Sequence, residues 1–303
     1  MRSQCSQRIL MLRPRAFGYN PETAISNSFQ NLENDLENKA NSKAQAEFDH
    51  MVKLLRQADI RVDVFQDSQK PVKPDAVFPN NWCSFPGKAK MILYPMMAEN
   101  RRLERDPILI ESIQKTLRIK EVFDLSDYEK QSQYLEGTGS LVFDHPNRIA
   151  YACASPRTSL AVLNALCHYL NYQAHLFEAF DRQGKAIYHS NVLMNIGSEI
   201  AVICLEAIRD EMERKNIIDR LEQSGKAILE IDFHQMENFA GNMLELKRDS
   251  AKNLLVLSEK AFKALKPAQL KSLSKNLELL AIPIPTIERL GGGSVRCMMT
   301  EIF

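Results

Sequence analysis

Short apolar runs recur along this chain at a near-constant step, each preceded by a small or amide residue. Asn81 leads into WCSF, Gly139 into SLVF, Asn191 into VLM, Asn242 into MLEL and Ser294 into VRCMM, at successive steps of 58, 52, 51 and 52 residues. Self-similarity at a period of roughly 50 residues marks a repeat architecture. A second apolar run follows each of the first four: KMILYPM from Lys90, RIAYACA from Arg148, EIAVICL from Glu199 and NLLVLS from Asn253. Two such runs in succession predict a β-hairpin. Beyond the hairpins the period becomes helical, with Leu160, Leu163, Cys167 and Leu170 on one face, and later Leu270, Leu273 and Leu277. A third strand then closes each unit, at KEVFDLS (120–126), AHLFEAF (174–180), AILEIDF (227–233) and LLAIPIP (279–285).

The N-terminal piece has the complementary content. It offers a strand, RILMLRP, a helix with Phe48, Met51, Val52 and Leu55 on one face, and a strand, RVDVF. It is expected to close a ring with the C-terminal hairpin. The pattern therefore predicts an α/β fold of about five ββαβ units in a single domain spanning 1–303, strands inside and helices outside. No Pro/Gly/Ser-rich linker divides the chain, and the long polar stretch from Asn20 to Gln45 is expected to be a flexible entry loop.

Composition narrows the function classes. Hydrophobic residues make up 45% and charged residues 25% of 303 positions, the proportions of an ordinary folded protein. With 39 basic and 38 acidic residues the net charge is +1, so no global field draws the chain onto nucleic acid or an anionic membrane. A small neutral or zwitterionic molecule is the expected partner, and a homodimer is left open. The six cysteines are scattered, without a CxxC pair or zinc-finger histidine spacing, so neither a structural metal nor an organic cofactor is expected. The apolar run Ile9–Leu12 is too short for a signal peptide, and no run approaches the length of a membrane span, which gives a cytoplasmic expectation.

If strands converge on an axis, the residues heading the repeats meet around one space. Those heads are Asn80 and Asn81, Glu136, His189, Asn242 and Cys297. A thiol, an imidazole, a carboxylate and several amides suit attack on an sp² carbon that carries nitrogen leaving groups. The thiolate adds, the imidazole protonates the departing nitrogen and activates water, and the carboxylate holds substrate N–H groups or orients the imidazole. Cys83, Cys153, Cys167 and Cys204 sit in apolar strands or on a helix face and read as core. Asn238 and Asn242 read as turn formers of the fourth hairpin. The triple glycine at 291–293 lacks the lysine and following helix of a phosphate loop.

The strings PDAVFPNNW (74–82), LEGTGS (135–140), SPRT (155–158), YHSNV (188–192) and GGGSVRCMM (291–299), with the opening MLRPRAF, resemble the pentein superfamily of guanidino-group-modifying enzymes. That group includes arginine deiminase, dimethylarginine dimethylaminohydrolase and amidinotransferase. The likeness is nearest to bacterial citrulline-utilisation hydrolases, described also as amidinotransferase-related proteins. The resemblance implies a five-bladed α/β propeller with Cys297 as nucleophile, His189 as general acid and base, and Glu136 on the guanidino or ureido N–H groups. It implies Asp75 on the substrate α-amino group and Arg157 on its carboxylate. Ser155 and Pro156 also read as a helix start that favours an anion at Arg157.

Asn81 stands where the arginine-hydrolysing relatives carry an acid, and Asn191 where arginine deiminase has an aspartate. A guanidinium wants carboxylate partners, whereas an amide offers a donor and an acceptor. With Asn80, these residues are the expected substrate contacts. Their chemistry favours a ureido compound such as citrulline, giving ornithine, ammonia and carbon dioxide. The alternatives are an arginine- or methylarginine-type hydrolase, an amidinotransferase, and a non-catalytic binding protein of the same fold.

Overall fold

The computed structural model describes residues 2–24, 27, 29–30, 39–249 and 252–303. Its strands in chain order are β1 (Arg8–Arg13), β2 (Arg61–Gln66), β3 (Cys83–Gly87), β4 (Lys90–Leu93), β5 (Glu121–Asp124), β6 (Leu141–Asp144), β7 (Ile149–Cys153) and β8 (Gln173–Phe177). They continue with β9 (Met194–Ile196), β10 (Ile200–Ile203), β11 (Ala227–Glu230), β12 (Leu244–Leu246), β13 (Leu254–Ser258), β14 (Glu278–Ile282) and β15 (Thr300–Ile302).

Pairing follows one rule throughout. In β3-β4-β5, β6-β7-β8, β9-β10-β11 and β12-β13-β14 the first strand runs antiparallel to the second, and the second parallel to the third. A parallel pair needs a crossover, and a helix supplies it each time: Pro107–Leu117, Leu160–Leu170, Glu211–Gln223, and the pair Glu259–Ala264 and Pro267–Leu273. The chain ends make the same group. β15 pairs antiparallel with β1 (Arg8↔Ile302), β1 pairs parallel with β2 (Arg8↔Arg61), and the helix Ala40–Gln57 crosses between them. A single bridge, Ile302↔Phe85, joins this group to β3.

Burial explains the layering. The second strands are buried on both faces: Ile149–Cys153 and Leu254–Ser258 are buried at every position, hence their unbroken apolar runs. Third strands such as Glu121–Asp124 are part-exposed. Local signals set the helix ends. Asp106 caps Pro107–Leu117 by accepting from Ile108 N, and Asp210 caps Glu211–Gln223 by accepting from Glu213 N. Asn171 closes Leu160–Leu170 in the left-handed conformation. The buried face of that helix is Val162, Leu163, Leu166 and Cys167, while Leu160 is exposed, a rotation from the predicted stripe.

Three other expectations change. In the first, second, third and fifth repeats the first strand starts later than its apolar run, because a single helical turn comes first: Pro79–Asn81, Gly137–Ser140, Ser190–Leu193 and Val295–Met298. The third and fourth predicted closing strands overrun, since Phe233–Glu237 and Pro285–Gly291 are helical. Of the Asn20–Gln45 stretch, residues 25, 26, 28 and 31–38 lie outside the described residues, Pro21–Ala24 form one helical turn, and Ala40 opens an 18-residue helix. Among the described residues no helix is long and apolar enough to cross a membrane.

Candidate active site

The single turns ahead of the hairpins build the site. Each carries a repeat's head residue or follows directly on it; Gly137–Ser140 packs against both Pro79–Asn81 and Ser190–Leu193, and Pro79–Asn81 against Val295–Met298. Gly137 has φ +45° and lies so close to the first turn that a Cβ there would be 2.2 Å from Asn80 O. Ser190 Oγ bridges two turns by donating to Ser140 O at 2.6 Å.

His189 and Glu136 meet across 53 positions of sequence, with Nε2 to Oε2 at 2.8 Å. A carboxylate only accepts, so Nε2 carries the proton and Nδ1 is the basic nitrogen of the neutral ring. Burial pushes the His189 imidazole down to about 4, outweighing the upward pull of Glu136. Burial alone would raise the Glu136 carboxyl, but Arg157, His189 and Arg101 hold it well below the usual carboxylate range. Arg157 Nη1 lies 3.2 Å from Glu136 Oε2, Nη2 donates to Thr23 O at 3.2 Å, and the guanidinium stacks 4.9 Å from the Tyr188 ring. Glu136 Oε1 accepts from Met97 N at 3.1 Å.

Cys297 sits in the last turn, 6% exposed. Two side-chain amides approach its sulfur: Asn242 Nδ2 at 3.3 Å and Asn191 Nδ2 at 3.5 Å. The other five cysteines are buried without such a setting, and burial pushes Cys83, Cys153 and Cys204 up, the last two to about 12.

A cavity of about 20 Å³, room for one water, separates these groups and is lined by Asp75, Asn81, Arg101, Arg157, His189 and Cys297, with Tyr188 and the glycines 291–293. Thr23 and Asn27 also line it. A much larger groove of about 840 Å³ lies outside, bordered by Phe29, Tyr188, Lys260 and Pro285, and touches none of Cys297, His189 or Glu136. The thiol and the imidazole therefore open on the small cavity and not on the groove.

Five of the predicted site residues line that cavity: Cys297, His189, Asp75, Asn81 and Arg157. Glu136 stands behind His189 and Asn191 beneath the sulfur. Asn80 turns away, its Nδ2 donating to Thr138 Oγ1 at 3.3 Å. Arg157 does not open a helix: Ser155–Thr158 is a tight turn, and Ser159 is the residue before Leu160–Leu170.

Sequence reasoning missed Arg101, Asn20 and the placement of Asn242. Arg101 is buried in the short helix Glu99–Arg102, forks onto Glu104 at 2.8 and 2.9 Å, and donates to Asn81 Oδ1 at 2.8 Å. An arginine inside a run of charges reads as surface, and only the i,i+3 spacing to Glu104 hinted otherwise. Asn20 Nδ2 and Thr23 Oγ1 both donate to Asp75 Oδ2, at 2.7 and 3.1 Å. Among the described residues Asp75 Oδ1, Asn81 Nδ2 and Asn191 Oδ1 have no partner, so the site holds two acceptors and a donor to spare.

The family model that matches this chain places it in the pentein superfamily of guanidino-modifying enzymes, among hydrolases of carbon–nitrogen bonds. The chain belongs to the family described as N,N dimethylarginine dimethylhydrolase, eukaryotic, whose family model matches residues 13–303. No curated protein matches its sequence. Solved structures do match in fold. The N-terminal domain of ArgZ bound to product, an arginine dihydrolase from the ornithine-ammonia cycle in cyanobacteria, is 16% identical with a TM-score of 0.77, covering 98% of this chain and 97% of that one. A variant of AgrE with L-arginine is 18% identical with a TM-score of 0.76, covering 98% of this chain and 40% of that one. A cysteine-to-serine variant of the Pseudomonas aeruginosa dimethylarginine enzyme with citrulline is 13% identical with a TM-score of 0.65, each chain covered to 98%.

Proposed function

We propose that residues 1–303 form one five-bladed α/β propeller that hydrolyses a carbon–nitrogen bond of a ureido or guanidino amino acid, with a citrulline-type substrate favoured. The five strand groups of like pairing are the blades, and the N- and C-terminal strands share one of them. The observation that carries the reading is that Cys297 and the Glu136-held His189 border one cavity although 108 positions separate them in sequence.

The positions of the groups support the following reaction. Cys297 gives its proton to the basic Nδ1 of His189 as the sulfur forms a bond to the substrate's central carbon. Glu136 stabilises the imidazolium so formed. His189 passes the proton to the departing nitrogen, the C–N bond breaks, and a covalent thioester-like intermediate remains on Cys297. Water, deprotonated by His189, adds to that carbon, and the C–S bond breaks to restore the thiol. Asp75, with Oδ1 available, suits a substrate ammonium, and Arg101 and Arg157 beside it suit a carboxylate.

Asn81 supports the ureido preference. A guanidinium has no acceptor, so Arg101 can face only Asn81 Oδ1, which leaves Nδ2 as the group offered to the substrate. A donor there matches a ureido oxygen; a guanidino group has only donors. The arginine reading is supported by the names of the structural relatives, and the two are chemically nested. Complete hydrolysis of a guanidino group passes through a ureido group.

An ammonia-release screen over arginine, citrulline, methylarginines, agmatine and their N-acylated forms tests this. Cys297→Ser should abolish release with the fold intact. Undiminished turnover in that variant would remove the mechanism, and release from arginine with none from citrulline would remove the ureido preference.

A further inference from the structure

Asn242 heads the fourth repeat and has no part in the reaction described above. Main-chain groups pin its amide at both ends: Oδ1 accepts from Arg296 N at 3.1 Å, and Nδ2 donates to Asn191 O at 3.0 Å. A main-chain N–H only donates and a carbonyl only accepts, so these two bonds fix which way the amide faces. The remaining hydrogen of Nδ2 is directed to Cys297 Sγ, 3.3 Å away. Oδ1 accepts from Arg296 N and, over a longer 3.7 Å, from the thiol hydrogen of Cys297, a bond that exists only until the thiol gives up its proton. Asn242 is 1% exposed, so water does not compete for its groups.

We propose that Asn242 is a catalytic residue, holding the Cys297 sulfur in line and stabilising the negative charge it carries when it attacks. This rests on Cys297 being the nucleophile. Asn242 transfers no proton: the thiol proton goes to His189 and the sulfur lone pair to the new C–S bond, while the amide N–H stays bonded to sulfur. A hydrogen bond to the charged form of a group favours that form. Asn191 adds a second, longer amide contact to the same sulfur. Neither of its nearest analogues fills the place equally well. Aspartate would turn an acceptor toward Asn191 O and a charge toward the sulfur, and glutamine is one methylene too long for this pinned geometry.

The test is the rate at which iodoacetamide alkylates Cys297 in the full-length chain, located by mass spectrometry and followed from pH 5 to 10. Asn242→Ala should alkylate about tenfold more slowly at pH 7, with its pH profile displaced upward by about one unit. Asn242→Asp, the same shape with a charge, should be displaced further. A purely structural role would lower the melting temperature without moving the profile. Folded Asn242→Ala that alkylates at the parent rate overturns the inference; if that variant does not fold, Asn242→Asp decides by the same criterion. Cys297→Ser separates the two levels. Ammonia release by it overturns the nucleophile, whereas its inactivity together with unchanged alkylation in the Asn242 variants overturns only the role of Asn242.

Discussion

Gly139 touches no substrate in the proposed reaction, yet replacing it with alanine should disable the enzyme. A Cβ at this position would lie 2.4 Å from Asn81 Nδ2 and 2.8 Å from both Cε1 and Nδ1 of His189. Ordinary contacts between such atoms are about 3.5 Å, so Asn81 must retreat by about 1 Å and His189 by about 0.7 Å. Neither can do so freely, because Asn81 is bonded to Arg101 and His189 to Glu136. Gly139 is not among the residues with positive φ, so alanine adds no backbone strain and the effect isolates the clash. Overpacking of this kind costs about 1–3 kcal/mol of stability. A displacement of about 1 Å in a positioned catalytic group costs roughly a hundredfold in rate. Steady-state ammonia release should therefore show kcat for Gly139→Ala reduced about a hundredfold, with urea titration reporting a folded protein of slightly lower stability. Gly18→Ala, where a Cβ meets nothing within 4 Å, serves as the control. A Gly139→Ala enzyme with kcat within about threefold of the parent would refute the close approach of the second repeat's turn to His189 and Asn81.

Glu136→Gln keeps the shape beside His189 but removes the charge that fixes the ring and stabilises its protonated form, and kcat should fall by at least about a hundredfold; unchanged kcat would show that the pair has no catalytic part. Asn81→Asp keeps an oxygen on Arg101 and turns a second acceptor toward the cavity. The ratio of kcat/KM for citrulline to that for arginine should therefore fall at least about tenfold, and a constant ratio would undo the charge-matching argument. Because His189 is pushed down to about 4 by burial while an unfolded histidine titrates near about 6.5, the unfolded chain binds a proton in that window and the folded chain does not. The stability contributed by this group is complete above about pH 6.5 and is lost as pH falls toward 4. Unfolding free energies at pH 7 and pH 5 should drop more in the parent than in His189→Gln, by an amount of the order of 2 kcal/mol, and equal drops would contradict a buried neutral imidazole.

The sequence alone determined the repeat, the strand–helix alternation within it and the residue types at its heads. These are local properties: an unbroken apolar run is what a strand buried on both faces requires, and the step between runs is the length of one unit. It also determined that the C-terminal hairpin lacked a second strand and the N-terminal piece a first, which β15 and β1 supply to each other. Cys297, His189, Asp75, Asn81 and Arg157 could be named because each stands at or near a fixed place in the repeat or in a family motif.

Only the tertiary structure decided what those side chains face. Asn80 and Asn81 are adjacent in one turn, yet one faces Thr138 and the other the cavity. Glu136, for which the sequence left open either substrate N–H groups or the imidazole as partner, is turned onto His189 and Arg157. Arg101 is buried because Glu104, Asn81 and the Phe78 carbonyl accept from all but one of its N–H groups, and nothing in a run of charged residues announces partners 20 and 23 positions away. Asn242 looks like any turn-forming asparagine until Arg296 and Asn191 arrive from other repeats and orient its amide. Strand and helix are encoded in spacing along the chain, while the direction of a buried polar group is set by whichever donors and acceptors the packed fold brings within about 3 Å of it.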